Sequence, residues 1–503
     1  YNTAVGQSAF QTNTTGSYNT AVGRQALYAN TTASNNVAVG FSALQVNTTG
    51  ASNIAVGPYC LDANTTGGNN VAIGSSALSS NTTANDNTAL GNGALESNTT
   101  GISNNAVGRG CLDQNTTRTH NTAIGIEALD ANTSGIRNTG LGGRALGGNT
   151  TANDNTAVGF QALMTNTTGT YNNAMGVNAM YLSTTGSNNV ALGNDALYAN
   201  TSGYWNTAVG HGAAAGNTTN GNSVAIGYKA LYTSTAGNNT AVGTNALLTN
   251  TTGTYNTALG LYALTLATTA DRNTAVGAYA LDNATTGGYN QAIGYHALGA
   301  LTTAANNTAM GYAAGSSITT GAENTAIGNF TLNNNSTAHS NTAVGYAALN
   351  QSTSGHSNDA FGHASLYLNT TGNYNTSTGS QSMYSNTTGG YNVASGRQAS
   401  YYNTSGSSNV AIGYQALYNN STASNNTALG YGSLWANTTG ADNTAVGALA
   451  LDANTTGISN TAVGLMSLSG NTTGEKNAAP VSYTHLRAHE TLRYLVCRLL
   501  LGK

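Results

Sequence analysis

A glycine recurs every 17 residues through almost the whole of this chain, and this spacing constrains the fold more than any other feature. The series runs from Gly6 to Gly464, with 28 members, and slips once, by one residue, between Gly227 and Gly243. The consensus repeat is Asn-Thr-Ala-Val-Gly-x-x-Ala-Leu-x-x-Asn-Thr-Thr-Gly-x-x. A short fixed period is typical of a solenoid, in which each repeat packs mainly on its neighbours. Positions in each repeat, or coil, are numbered from this anchor glycine as position 0.

The composition is strongly biased, because charged residues make up only 6% of the 503 residues and the formal net charge is −3. Ordinary globular domains contain about 25% charged residues. Such a bias often indicates disorder, but the apolar residues here recur at fixed positions and therefore predict an ordered structure. No basic stripe suits nucleic acid, and no apolar run is long enough to span a bilayer. We expect neither a nucleic-acid partner nor membrane insertion.

Each coil contains a clear period-2 segment. Position −4 is Asn in 27 of the 28 coils, position −2 is Ala in all but two, and position −1 is mostly Val, Ile or Leu. This alternation predicts a strand in which positions −3 and −1 share one face and position −2 the other. A second, weaker strand is predicted from about +2 to +6. The glycines at 0 and +10 predict corners, where positive φ or close backbone approach is needed.

The Asn-Thr-Thr-Gly segment at +7 to +10 predicts a turn, because Asn tolerates left-handed φ and the hydroxyl groups can bind local backbone. The same residues match the acceptor pattern for N-glycosylation, although turn chemistry explains them without a glycan. Cys60 and Cys111 both occupy position +3, where other coils have Ala. They are three coils apart, or about 14 Å at about 4.8 Å per coil, which is too far for a disulfide.

Stacked coils of this kind predict an all-β fold, a parallel β-solenoid or β-roll of about 28 coils. Its 27 steps would give a rod of roughly 130 Å. Both faces of the first strand are restricted in residue type, which a strand with one solvated face would not require. This favours a parallel homotrimer, in which one face lines the coil and the other meets a neighbouring chain. A monomeric rod with a flat face of small residues is the alternative.

The pattern resembles the head repeats of trimeric autotransporter adhesins, whose β-roll carries an Asn-Ser-Val-Ala-Ile-Gly motif. That hexapeptide occurs at Asn222–Gly227, and close variants occur at Asn35–Gly40 and Asn69–Gly74. The longer coil, with its Ala-Leu-Tyr-x-Asn-Thr-Thr-Gly half, is also similar to the β-repeat shafts of phage and bacterial tail fibres. The resemblance implies an extracellular protein of a cell surface or a virion tail fibre. It also implies a cell-surface glycan or host-surface receptor as partner.

The repeat pattern stops near Ala479. Residues 1–479 are therefore assigned to the solenoid, which we expect to be incomplete at both ends, and residues 480–503 to a non-native tail. Within the tail, Val-Ser-Tyr-Thr-His-Leu-Arg-Ala-His-Glu-Thr resembles a translated sequencing adapter, and we attribute the tail to adapter read-through.

No catalytic, cofactor-binding or metal-binding pattern is found in the repeats. Their histidines occupy scattered positions, and His and carboxylate groups with metal-ligand spacing are missing. No Gly-Lys-Ser/Thr follows the glycine-rich segments, which argues against a phosphate loop. We therefore expect a protein that is not an enzyme and uses neither cofactor nor metal.

Aromatic residues recur at positions −5, +1 and +5, which flank the predicted corners. They could stiffen the stack by contacts between coils or provide contacts for a surface ligand. The candidate ligand contacts are Trp205, Tyr228, Tyr295, Tyr346, Tyr414 and Trp435. The leading hypothesis is a fibrous structural or adhesive protein, an adhesin head or tail-fibre shaft, that gains avidity from repetition. An ice-binding or other surface-binding rod is the alternative, because Thr at −3 forms a partial ladder.

Overall fold

The computed structural model of the chain describes residues Tyr1–Pro480. Apart from Pro480, the predicted non-native tail lies outside the described residues. Within the described part, one strand of three residues ends directly before each of the 28 anchor glycines, and no residue belongs to an α-helix. It follows that these residues offer no helical segment able to cross a bilayer. The prediction of a parallel β-solenoid of about 28 turns with a 17-residue period is confirmed.

The chain divides into two compact units. The unit Tyr1–Tyr255 contains the strands β1 Thr3–Val5, β2 Thr20–Val22, β3 Val37–Val39, β4 Ile54–Val56, β5 Val71–Ile73, β6 Thr88–Leu90, β7 Asn105–Val107, β8 Thr122–Ile124, β9 Thr139–Leu141, β10 Thr156–Val158, β11 Asn173–Met175, β12 Val190–Leu192, β13 Thr207–Val209, β14 Val224–Ile226 and β15 Thr240–Val242.

The second unit begins at Asn256. Its strands are β16 Thr257–Leu259, β17 Thr274–Val276, β18 Gln291–Ile293, β19 Thr308–Met310, β20 Thr325–Ile327, β21 Thr342–Val344, β22 Asp359–Phe361, β23 Thr376–Thr378, β24 Val393–Ser395, β25 Val410–Ile412, β26 Thr427–Leu429, β27 Thr444–Val446, β28 Thr461–Val463 and β29 Ala478–Ala479.

In each unit the strands pair in parallel and in register, so that like residues lie above like. Thr20, for example, pairs with Val37 and Ala21 with Ala38. The alanine at −2 is buried in the coil, whereas the residues at −3 and −1 point outward and stay partly exposed. The two faces therefore differ as predicted. The alternative of a rod that displays its small residues is wrong, because these residues line the interior.

The predicted second strand is wrong. Positions +2 to +6 form turns, and positive φ values recur at +2 and +4, as at Gln25 (60°) and Leu27 (48°). The turns are held by bonds between coils: the Leu27 N–H donates to the Ala43 carbonyl at 2.9 Å. Left-handed backbone is costly for a leucine, but Leu27 is fully buried. Burial of its side chain and the bond between coils offset the strain.

The anchor glycines have both a positive φ and a close approach to neighbouring backbone, the two properties that the sequence predicts for the corners. Gly142 has a φ of 134°, and a Cβ added to it would lie 2.5 Å from the carbonyl oxygen of Gly159 in the next coil. The glycine at +10 is required only for close approach, as at Gly50, whose φ lies outside the left-handed region. A further positive φ falls on position −5 in every coil after the first, including Trp205 at 54°.

Asparagine lines the interior as two ladders, at positions −4 and +7. In one coil, the Asn36 and Asn47 side-chain amides both donate to the Gly50 carbonyl, at 3.0 and 2.9 Å. Asn47 also donates to the Asn30 side-chain oxygen of the preceding coil at 3.2 Å. The asparagine at +7 is therefore a buried hydrogen-bonding residue rather than a turn residue with left-handed φ. Its burial also disfavours glycosylation, because the amide nitrogen is already bonded inside the coil.

Candidate binding surfaces

The first candidate surface is the outer sheet face, defined here as the side chains at −3 and −1 of every strand. Position −1 is apolar in 26 of 28 coils, with Thr378 and Ser395 as exceptions, and Asp359 is the one charged residue at either position. Many of these side chains are substantially exposed, such as Ile124 (44%), Met175 (50%) and Leu259 (46%). Each unit therefore presents a nearly uncharged apolar stripe to solvent.

Threonine at position −3 makes one row of side chains on the same face partly polar. It occupies position −3 in 17 of the 28 coils, and the in-register pairing places neighbouring copies directly above one another, as for Thr308 and Thr325. Val, Ile, Asn, Gln or Asp interrupts the row in the other coils. The outer sheet face is thus an in-register array of mainly hydroxyl and aliphatic groups.

The six aromatic residues singled out in the sequence all lie at the surface, with exposed fractions from 41% for Tyr414 to 62% for Trp205. They do not form one cluster, because each contacts a different neighbour. Four of them stack face to face on a ring of an adjacent coil, with centroids 5.4–5.8 Å apart: Tyr295 on Tyr312, Tyr346 on His363, Tyr414 on Tyr431 and Trp435 on Tyr418. Trp205 and Tyr228 instead make edge-to-face contacts, with Tyr204 and His211.

The predicted contacts between coils are confirmed at +5 in the second unit, where aromatic residues form a continuous stack, the +5 aromatic ladder. Its five members come from consecutive coils and their neighbouring centroids lie 5.1–5.8 Å apart: Tyr367, Tyr384, Tyr401, Tyr418 and Trp435. Stacking covers the ring faces and leaves the edges exposed. The ladder therefore stiffens the stack, and its rings cannot offer both faces to a ligand.

In the first unit, Ala215 interrupts a short row of tyrosines at +5, Tyr181, Tyr198 and Tyr232, and leaves an open depression of about 570 Å³, the Ala215 gap. Its floor is formed by the small residues Gly212, Ala215 and Gly216. Tyr198 and Asp195 line it on the side of the preceding coil, and Tyr232 and Lys229 on the side of the following coil. The edge-to-face pair of His211 and Tyr228, with centroids 5.7 Å apart, completes the lining. One candidate residue, Tyr228, thus belongs to a concave site.

Carboxyl groups also recur at +5, and partial burial affects their ionisation. Burial raises the pKa of the carboxyl groups of Asp62, Asp130, Asp282 and Asp452 above the ordinary value. At the surface, a hydrogen bond from Arg137 instead lowers the pKa of Asp154. Within Tyr1–Pro480 no three His, Cys, Asp or Glu side chains converge as metal ligands would. The prediction that the chain is not an enzyme stays a prediction.

Cys60 and Cys111 are free and fully buried, in agreement with the spacing argument against a disulfide. Burial raises the pKa of both thiols, so that the reactive thiolate is scarce at neutral pH. We expect an aromatic disulfide reagent to modify them about a hundredfold more slowly in the native protein than in urea, because modification requires local opening. Absorbance of the released thiolate from a Cys497→Ser variant measures these two groups alone. Equal rates in both conditions would contradict their burial.

Comparison of the sequence with protein-family models and with curated proteins finds no match.

Proposed function

We propose that this chain is a fibrous structural protein of a cell surface or virion tail fibre. It assembles as a parallel homotrimer through its outer sheet face and displays its corner residues for attachment. The observation that carries the proposal is the exposed apolar stripe at position −1. Contiguous exposed apolar surface of this kind marks interaction sites in soluble proteins.

The repeat spacing favours further copies of the chain as the partner. Successive outward side chains recur at each coil step of about 4.8 Å. A partner that fills such a stripe along many coils needs the same spacing, and another copy in parallel orientation provides it. The near absence of charge on this face supports association, because few charged groups lose water when the face is covered.

The assembly is tested with matched arginine substitutions in three coils of the first unit. Ile73→Arg, Ile124→Arg and Met175→Arg together place three cations on the outer sheet face, at position −1. We expect sedimentation equilibrium to give three times the chain mass for the wild-type protein. The triple variant should sediment as a monomer at the same concentration, because each parallel interface would bring like charges together in a dry environment.

Position +1 of the same three coils supplies the control. Ser75→Arg, Ile126→Arg and Val177→Arg add the same charge two residues further along, away from the outer sheet face. The exposed fraction of Ile126 is 55%, so that this control tolerates the change at least as well as Ile124. A control triple that also becomes monomeric would argue against the proposed interface, as would a monomeric wild-type protein.

Attachment to a glycan or a host receptor would then use the corners, which the trimer leaves accessible. The aromatic rings at +1 and +5 supply amphipathic contact area, and repetition along three chains would raise avidity above the affinity of any single site.

The same outer sheet face supports a second candidate function, ice binding. Threonine hydroxyl groups lie in register at −3 and alternate with aliphatic groups at −1, which gives a regular, flat surface able to order water. The two functions compete for one face, because a trimer would cover it. Thermal hysteresis of a monomeric wild-type protein would favour ice binding, whereas a trimer without thermal hysteresis would exclude it.

A further inference from the structure

The structure assigns the Ala215 gap as a binding site for one acidic pyranose, a hexuronate unit of a surface polysaccharide. This assignment rests on the proposed adhesive function and names the ligand class of one of its corner sites. At the gap, the small side chain of Ala215 replaces an aromatic ring. Three tyrosine rings, one cation and one carboxylate line the space that this leaves.

The width of the gap corresponds to one ring. Tyr181 and Tyr198 occupy position +5 of consecutive coils and stack with centroids 5.4 Å apart and planes inclined by 6°. The next coil has Ala215 at this position, and the row resumes at Tyr232. Positions two coils apart are separated by about 10 Å, so that one ring is missing from the row at Ala215. Since Tyr181 covers one face of Tyr198, the other face is available to the gap.

The floor of the gap is kept open by glycine. A Cβ added at Gly212 would lie 3.2 Å from Cε2 of Tyr232 and 3.5 Å from Cγ of Lys229. Both side chains therefore lie close against the floor, and any larger residue at 212 would displace them. An aromatic wall beside a shallow, partly apolar floor suits a pyranose, whose C–H face packs on aromatic rings.

Lys229 determines the charge of the ligand. Its Nζ lies 5.0 Å from the centroid of the Tyr232 ring and 5.3 Å from that of Tyr228, so that two rings hold the ammonium group in place. Among the residues Tyr1–Pro480 it forms no ion pair. A carboxylate that enters the gap would provide one, and a charge-assisted hydrogen bond of this kind is about twice as strong as a neutral one.

Asp195 lies on the opposite side of the gap, two coils from Lys229. Its Oδ1 accepts one hydrogen bond, from the Asn178 side-chain amide at 3.3 Å, and its remaining lone pairs can accept bonds from sugar hydroxyl groups. A hexuronate carries a carboxylate at one end of the ring and hydroxyl groups at the other. This polarity matches the order of Lys229 and Asp195 across the gap.

The test compares methyl β-D-glucuronide with methyl β-D-glucoside as ligands of the full chain, by titration calorimetry and saturation-transfer NMR. We expect the wild-type protein to bind the glucuronide at least tenfold more tightly. Lys229→Gln should remove this preference while glucoside binding is retained. Ala215→Tyr should weaken binding of both sugars at least tenfold, because the added ring fills the gap and joins the row between Tyr198 and Tyr232.

Ala215→Tyr is expected to fold, because other coils carry Tyr at +5 on the same backbone. Ser79→Tyr is the matched control: it adds the same side chain at +5 of a coil outside the gap and should leave both affinities unchanged. Equal glucuronide affinity in wild-type protein and Ala215→Tyr would overturn the assignment. So would the absence of glucuronide binding by a wild-type protein that still forms trimers, and that result would leave the proposed fibre intact. Glucuronide binding by a monomeric wild-type protein would support the site and contradict the assembly.

Discussion

Replacement of the anchor glycine Gly142 by alanine should destabilise the first unit by about 2–6 kcal/mol. The φ of Gly142 is 134°, a backbone conformation that alanine adopts only at a cost of about 1–3 kcal/mol. In addition, the new Cβ would lie 2.5 Å from the carbonyl oxygen of Gly159 and 2.6 Å from its carbonyl carbon. Relief of that overlap requires two hydrogen-bonded coils to move apart, and overpacking of this kind costs about 1–3 kcal/mol more.

Urea unfolding followed by circular dichroism measures this effect, with the adjacent Gly143→Ala as the control. The nearest atom to a Cβ at Gly143 is Cδ2 of Phe160, at 3.4 Å, and the φ of Gly143 lies outside the left-handed region. We expect Gly143→Ala to change the free energy of unfolding by about 0.5 kcal/mol or less. In a solenoid the damage at Gly142 could also divide unfolding into two steps, because each coil is stabilised mainly by its neighbours. Similar stabilities for the two variants would contradict the predicted steric role of the anchor.

Replacement of Asn420 by alanine should cost about 2–6 kcal/mol, although it removes only a side-chain amide. Asn420 donates to the Asn403 side-chain oxygen at 2.9 Å and to the Ala423 carbonyl at 3.0 Å, and it accepts a bond from Asn437 at 3.0 Å. All three asparagines are fully buried. Alanine would therefore leave one buried donor and one buried acceptor of the ladder without these bonds, and each such group costs about 1–3 kcal/mol.

The adjacent Asn419 provides the comparison. It lies at position +6 and is only partly buried, and its backbone N–H bonds to the Trp435 carbonyl at 3.1 Å, which an alanine would preserve. We expect Asn419→Ala to shift the midpoint of urea unfolding little, whereas Asn420→Ala lowers it clearly with an unchanged slope. Equal midpoints would show that the interior ladder contributes little to stability.

Several parts of the fold could be predicted from the sequence because they repeat and depend on local chemistry. The glycine period gave the number of coils, and the alternation at −3 to −1 gave the strand and its two faces. The exposure of the candidate aromatic residues was also predictable, because the interior of so thin a coil has no space for an aromatic ring at a position next to a corner.

Three features depended on the tertiary structure. The predicted strand at +2 to +6 is a series of turns in which Leu27 and its equivalents have left-handed backbone, stabilised by bonds to the next coil that leave no local signal. The asparagine at +7 has a turn-like sequence context but serves as a buried ladder. The Ala215 gap exists only because stacking brings Tyr198 and Tyr232, 34 residues apart in sequence, to the two sides of one small residue.

The sequence by itself determined the repeat, the first strand and the pairing of like residues, because a fixed period makes every coil interface the same. Only the tertiary structure decided which face of the strand is inside. The hydrophobic effect alone would favour burial of the larger aliphatic residues at −1. The interior already holds the leucine at +4 and two asparagine ladders, however, and only alanine fits in the remaining space. The aliphatic residues are therefore outside, on the face that we propose to be covered by further copies of the chain.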